Sequence, residues 1–476
     1  MTADLERLAS SCIFPGFEGP RVPDWLRRRL AEGLGGVVLY AWNVESAEQL
    51  RALTSDLLAE RPDLLIAIDE EGGDVTRLEA GTGSSYPGNA ALGVVDDIQL
   101  TERVAASLGA ELAGAGVNLD FAPVADVNTN PQNPVIGIRS FGSEGDLVAR
   151  HVAASVTGLQ SAGVAACAKH FPGHGDTSED SHLALPVVDS IDEVALTPFR
   201  AAIDAGVQAI MTAHIVVLAV GDEPATMSHA ILHDLLRGEL GYTGLVVTDA
   251  LEMKAISATV GVEEGAVRAV AAGADALCLG HDLFDESVVR VRDAIIAGVR
   301  SGSISEERLA AAAGRVAQVA AWAAERGVRE VIDREAGREA ARRAVRSEGE
   351  VRLRRPALVV ELEPEAGMAA GRLSQRPGEW FHAVMPDAEV SRFDEESVST
   401  DVVTDGRQLV VIARDAHRHA WQREAIDALT ARSPDAIVLE IGLPRWRPPG
   451  AAGVVATYGA ARVNIEAAAA ALADRP

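Results

Sequence analysis

Eight short apolar runs, most of them rich in β-branched residues, recur within the first 280 residues. They are Cys12–Gly16, Gly36–Tyr40, Leu64–Asp69, Val117–Val124, Ala165–His170, Ala209–Ile215, Leu245–Ala250 and Ala274–Gly280. Helical patterns rich in Ala, Leu and Glu lie between them, such as AEQLRALTSDLLAER and DLVARHVAASVTGLQSAG. Apolar strands alternating with amphipathic helices predict parallel βα units, because a parallel strand needs a crossover and a cover on both faces. Eight such units match a (β/α)8 barrel, typically about 250 residues long, better than a doubly wound sheet. No GxGxxG fingerprint follows any of the runs, which argues against a dinucleotide site.

Beyond Gly280 the pattern turns helical. One helix is predicted from Ile304, with Ser305 as its N-cap. The charged stretch Arg329–Arg355 reads as a solvated helix and linker. From Pro356 a new alternation begins with ALVVELE, then QLVVIAR (Gln408–Arg414), a helix near His419 to Ala431, and AIVLEIGLP (Ala436–Pro444). The expected division is therefore a barrel over 1–328, a helical linker over 329–355 and a smaller C-terminal α/β sandwich domain over 356–476.

Lys and Arg total 43 against 70 Asp and Glu, a formal charge of −27. That balance argues against nucleic acid and anionic membrane surfaces as partners. The three cysteines, Cys12, Cys167 and Cys278, read as small buried hydrophobes of a reducing compartment. No stretch approaches the roughly 18 to 20 apolar residues of a membrane span. The opening MTADLERLASSC carries neither the basic nor the apolar region of an export signal. A cytoplasmic location is the expectation.

In a βα barrel, functional side chains gather where strands end and loops begin. Here Asp69 closes one run and leads to Arg77; Arg139 sits on the long loop after the Val117 run; Lys169 and His170 close a third, and Asp249 a fourth. One charged strand end is as readily a structural ion pair, whereas four around one mouth point to a site. Asp69, Arg77, Arg139, Lys169 and His170 are hydrogen-bonding groups suited to a polyhydroxylated ligand. Asp249 fits a nucleophile, an ionised carboxylate with cationic neighbours.

The loop KHFPGHGDTSEDSHLALP (Lys169–Pro186) holds three histidines and three acids with no core periodicity. Asp180 and His182 supply an acid/base pair, since a carboxylate orients an imidazole and favours its protonated form. Two other readings exist. His170, His174 and His182 with Asp176 and Asp180 could bind zinc, but Pro172, Gly173 and Gly175 exclude a helix-based metal motif. His174 is better read as a hydrogen-bonded structural residue beside turn-forming glycines. No metal and no cofactor are expected.

These motifs resemble glycoside hydrolase family 3, specifically its β-N-acetylglucosaminidase branch. The resemblance spans about residues 10 to 320 and rests on KHFPGHGDTSEDSH, DEEGGDVTRL (Asp69–Leu78), NPVIGIRSFG (Asn133–Gly142) and VVTDALEMKAI (Val246–Ile256). It implies a (β/α)8 barrel and a retaining mechanism through a glycosyl-enzyme intermediate. Asp249 would be the nucleophile and His182 the acid/base on a mobile loop, with Asp180 as its dyad partner. Asp69, Arg77, Arg139, Lys169 and His170 match positions that grip the N-acetylhexosamine. A loop of about twenty residues between Phe171 and Ile191, without secondary structure of its own, fits a lid.

Two departures make the pocket rim more acidic: Glu70 where many members have Gln, and Asp74 where a basic residue is common. Both work against an anionic muropeptide-like sugar. The function implied is an exo-acting β-N-acetylhexosaminidase releasing terminal GlcNAc from cell-wall or chitooligosaccharide-type substrates. The alternatives are a β-N-acetylglucosaminide phosphorylase taking inorganic phosphate, a β-glucosidase, and a non-catalytic sugar-binding barrel.

Overall fold

The computed structural model describes residues 2–181, 184–326, 331–364 and 376–473. All eight predicted runs contain strands: β1 (Ile13–Pro15), β2 (Gly36–Leu39), β3 (Leu65–Ile68), β4 (Leu119–Asp120), β5 (Ala165–Phe171), β6 (Ala209–Thr212), β7 (Leu245–Val247) and β8 (Leu277–Gly280). β2 to β7 form one parallel sheet in chain order, and β1 pairs in parallel with β8. A parallel bridge between Val247 and Ala276 joins β7 to the approach of β8. The N–H of Gly35 donates to the Ser10 carbonyl at 3.2 Å, joining the approaches of β1 and β2. The ring is closed, and the architecture is the expected (β/α)8 barrel.

The barrel interior follows the pleat. Leu65 and Ala67, Ala165 and Cys167, Ala209 and Met211, Leu245 and Val247, and Ala276 and Cys278 belong to one buried cluster. Successive side chains of a strand alternate faces, so these pairs define the inward register. Continuing each series by two residues lands on Asp69 after β3, Lys169 in β5 and Asp249 after β7. The charges found at the strand ends thus lie on the inward parity.

Below them the barrel is tied by a buried carboxylate. Asp275 accepts from Arg237 at 2.6 Å, Arg308 at 2.8 Å, Arg315 at 3.1 Å and the Val246 N–H at 2.9 Å. Arg308 and Arg315 belong to the helix predicted from Ile304, observed over Glu306–Arg326. The Ser305 hydroxyl accepts from the Arg308 N–H at 3.0 Å, as an N-cap does.

Backbone proximity divides the chain into two compact units. The first is Met1–Glu70, Thr101–Ile136 and Ser143–Ile332; the second is Glu71–Leu100, Gly137–Gly142 and Asp333–Pro476. The second unit holds a six-stranded sheet in the order 346–349, 453–456, 437–440, 408–413, 357–362, 389–393. All its neighbours are parallel except Arg346–Gly349 against Gly453–Ala456. Helices cover both faces: Phe381, Ile465 and Leu472 pack on one, Ala425, Ile426 and Leu429 on the other. That is an α/β sandwich.

The charged stretch read as a solvated helix and linker is built into this unit. Its helix, Arg334–Ala344, buries Ala336, Gly337, Ala340, Ala341 and Ala344 along one face, while its Arg and Glu residues take the other. Arg346–Gly349 then joins the sheet edge. Small residues at helical spacing had been hidden among the charges. Among the described residues, no helix is long and apolar enough to cross a membrane.

Candidate active site

In the first unit, Lys169 Nζ lies 2.7 Å from Asp69 Oδ1 and is almost wholly buried. A buried ammonium needs such a partner to stay charged. The buried Cys167 thiol beneath them is pushed up first by burial; Lys169 lowers it, and Asp120, Asp69 and Asp249 raise it further. Cys278 on the neighbouring wall is raised by burial and then by Asp249, Asp69 and Glu252. Asp69, Lys169 and Asp249 all continue the inward series of β3, β5 and β7 at their C-terminal ends, so these groups share one barrel mouth. Asp249 itself is half-buried, and its Oδ1 accepts the Ala250 N–H at 2.8 Å.

The organiser of the loop after β5 is Asp126, which the sequence reading did not single out. It is fully buried, and its carboxylate accepts from His170 Nδ1 at 2.7 Å, from the His170 N–H at 3.3 Å and from the His174 N–H at 2.6 Å. Burial alone would raise its pKa. The electrostatic and hydrogen-bonding contacts with His170, then those with His174, outweigh burial and hold it below the ordinary value. An ionised Asp126 keeps the proton of His170 on Nδ1 and aims the ring's other nitrogen away from the carboxylate.

A second buried acid, Asp120 at the end of β4, accepts the Glu70 N–H at 2.9 Å. Burial pushes it well above the ordinary carboxylate value; the Glu70 N–H opposes this, and the Glu70 charge adds to it.

His174 is structural, in line with the reading favoured above. Thr177 Oγ1 donates to the His174 carbonyl at 3.0 Å, so the contact at 2.7 Å has Nδ1–H donating to Thr177 Oγ1. Nε2 then accepts from the Ser181 hydroxyl at 3.1 Å. With both ring nitrogens engaged by hydroxyls, the zinc reading gains nothing from His174. Asn133 Nδ2 also donates to the His174 carbonyl, at 2.8 Å. Gly175 permits this close fit, since a Cβ there would sit 1.8 Å from the Val127 carbonyl oxygen.

Ser181 is thereby tethered between Asp180 and the position of His182. Asp180 is half-buried, and its carbonyl accepts the Ala184 N–H at 3.0 Å. His182 lies outside the described residues. The loop also has secondary structure, contrary to expectation: Val187 and Val188 pair in parallel with Val216 and Val217. A two-residue ladder of valines is too short to stand out as a strand in sequence.

Burial lowers the His174 pKa to about 4, so the ring is neutral in the folded protein at neutral pH. Because the folded value lies below the ordinary 6.5, the unfolded chain takes up the proton first as pH falls. The stabilising contribution is complete above about pH 6.5 and is lost as pH falls towards 4, reaching about 3 kcal/mol. Histidine-ring NMR is expected to show His174 without a protonation step above pH 5. A midpoint near 6.5 would refute the buried, neutral assignment.

Arg77 and Arg139 fall in the second unit. Arg139 Nε and Nη2 grip Glu71 at 2.9 and 2.7 Å, a bidentate pair. Asn89 Nδ2 donates to the Arg139 carbonyl at 2.7 Å. Arg77 is buried. Asp74 accepts the Ala460 N–H at 3.0 Å and pairs with Arg414 at 2.5 Å, so it is a structural partner inside this unit and not a bare acid on a rim.

Comparison with known proteins bears on the family of the chain. The family model described as the glycosyl hydrolase family 3 N terminal domain matches residues 24–319. The β-hexosaminidase A of Pseudoalteromonas piscicida is 37% identical over 321 residues, spanning 60% of this chain but only 53% of that protein. A glycoside hydrolase family 3 β-N-acetylglucosaminidase from Paenibacillus sp. str. FPU-7 superposes with a TM-score of 0.89 at 36% identity, covering 99% of this chain and 97% of that one. NagZ from Neisseria gonorrhoeae, solved with N-trifluoroacetyl-D-glucosamine, is 31% identical with a TM-score of 0.55, covering 65% and 97%. The family match spans well over half of the chain and its whole barrel from the second strand onward, and the chain belongs to glycosyl hydrolase family 3.

Proposed function

We propose that this chain is a retaining exo-β-N-acetylhexosaminidase that releases terminal β-linked N-acetylglucosamine. The observation that carries the reading is the convergence of Asp249, Asp69 and Lys169 at one mouth, beside a His170 oriented by Asp126. The names of the similar hexosaminidases, and the N-acyl glucosamine bound by the Neisseria protein, support the choice of sugar.

In this mechanism Asp69, Lys169 and His170 hold the terminal sugar. Asp249 attacks the anomeric carbon, and the glycosidic bond breaks as His182 gives its proton to the departing oxygen. Water then displaces Asp249 while His182, paired with Asp180, takes the proton back. Two displacements retain the β configuration. A histidine replaces one of the two carboxyl groups that most retaining glycosidases employ. The tether from His174 to Ser181 supports the loop that carries this acid/base.

Cell-wall fragments and chitooligosaccharides are the substrate classes this reading admits, and it places the enzyme in the cytoplasm. The test is turnover of 4-nitrophenyl N-acetyl-β-glucosaminide, with NMR following the first-formed sugar anomer. The expected result is β-GlcNAc at a rate independent of inorganic phosphate. GlcNAc-1-phosphate would instead identify a phosphorylase, and equal cleavage of the β-glucoside would remove the N-acetyl requirement. Binding of the sugar without any turnover would leave a non-catalytic barrel.

A further inference from the structure

Where β1, β2 and β8 end, the first unit presents a rigid aromatic corner with no part in the mechanism above. Tyr40 continues the inward series of β2 and packs on the barrel core. Trp42 stacks on Tyr40, with ring centroids 4.9 Å apart and planes 16° from parallel. His281, just past β8, meets both rings edge-on at 5.7 and 5.3 Å. Trp42 Nε1 donates to the Phe17 carbonyl at 2.9 Å, which fixes the rotation of the indole. Asn43 donates to the same carbonyl at 2.9 Å and to Gly19 at 2.7 Å, so the segment under the ring is also held.

This corner is tied to the loop that follows Asp249. Three residues beyond it, Glu252 accepts the His281 N–H and the Asp282 N–H, both at 2.7 Å. The Leu251 N–H donates to the Cys278 carbonyl at 2.9 Å. The strand ends meet closely: a Cβ on Gly16 would lie 2.7 Å from the Gly280 carbonyl oxygen and 2.8 Å from the Tyr40 ring. The nucleophile's own loop therefore fixes the turn that holds His281 against the indole.

Trp42 is nonetheless 42% exposed, the one aromatic side chain among the exposed large hydrophobics of the described residues. Tyr40 stacks on the ring, His281 meets it edge-on and the Phe17 carbonyl holds Nε1, so the exposed part of the indole is held in a fixed orientation. An indole held in place yet 42% exposed can stack on the apolar C–H face of a pyranose. A single ring beside the polar His281 and Asp282 is far smaller than the roughly 1,000 Å² of a protein interface.

We propose that Trp42 is the stacking platform for the sugar on the leaving-group side of the scissile bond, making a β-linked N-acetylglucosamine oligosaccharide the substrate class. The proposal rests on the hexosaminidase reading. Its test compares kcat/KM for N,N′-diacetylchitobiose with that for methyl N-acetyl-β-glucosaminide, which has no ring in the leaving group. Trp42→Ala is expected to lower the disaccharide-to-methyl ratio about tenfold, the effect of uncovering one sugar face. Trp42→Phe, which keeps a ring, is expected to restore most of it. A purely structural role would lower both substrates together and leave the ratio unchanged, which overturns the proposal.

Binding separates this proposal from the reading beneath it. Calorimetry on Asp249→Ala is expected to show diacetylchitobiose binding tighter than GlcNAc, and the double variant with Trp42→Ala is expected to lose that margin. Should the wild type cleave neither substrate, the hexosaminidase reading fails, while the calorimetric margin still decides the platform. Equal affinity for the two sugars, or a margin that survives Trp42→Ala, refutes it.

Discussion

Asp249→Ala is expected to lower kcat on N-acetylglucosaminides by about 10⁴-fold or more, because it removes the group proposed to form the covalent intermediate. The fold is expected to survive. Asp249 is only half-buried, and the melting temperature of the variant checks that it remains folded. The variant also opens a chemical test. Azide is small enough to enter where the carboxylate stood, and would attack the anomeric carbon from the same side. Rescue by azide with formation of the α-glycosyl azide is the expected result. Activity within tenfold of wild type, or a β-azide product, would remove Asp249 from the nucleophile's role.

Asp126→Ala is expected to cost about 3 to 5 kcal/mol of stability, measured as a shift of the urea midpoint. Three donors lose one buried acceptor at once: His170 Nδ1, His170 N–H and His174 N–H. Activity is expected to fall by about 100-fold even where the protein remains folded, since His170 loses the partner that orients it. Asp126→Asn keeps the volume and one acceptor oxygen, so it should recover part of the stability. Its amide cannot hold the His170 proton as a carboxylate does, and the activity loss should largely remain. Wild-type stability in Asp126→Ala would show that the carboxylate is not the organiser described.

The barrel was legible because strands buried on both faces leave short apolar runs, and eight of them alternate with amphipathic helical patterns. Run length misleads at β4: the apolar stretch Val117–Val124 contains a two-residue strand, Leu119–Asp120, with Pro123, which has no N–H to donate, four residues into the stretch that follows Leu119. Asp69, Lys169, His170 and Asp249 were legible as polar residues interrupting apolar runs. Asp126 was not, for it stands in a loop and its partners lie 44 and 48 residues away. An acid at the end of VNLDFAPVAD was the available signal, but nothing local separates it from a solvated one. Asp74 misled in the opposite sense, since its partners Arg414 and Ala460 are hundreds of residues distant. The linker reading failed because alternating charges outweighed the alanines that do the packing.

The pleat that carries Leu65, Ala67 and Asp69 inward, and likewise Ala165, Cys167 and Lys169, counts residues and not volume. Exchanging a small interior residue for a larger one would shift the mouth by fractions of an ångström. Deleting a single residue before Cys167 would turn Lys169 out of the lumen altogether and bring a neighbour in. The chemistry of this barrel is thus tolerant of substitution in its lower layers and intolerant of any change in their number. A change of length is expected to be tolerated only in the loops, where it leaves the inward parity of Asp69, Lys169 and Asp249 intact.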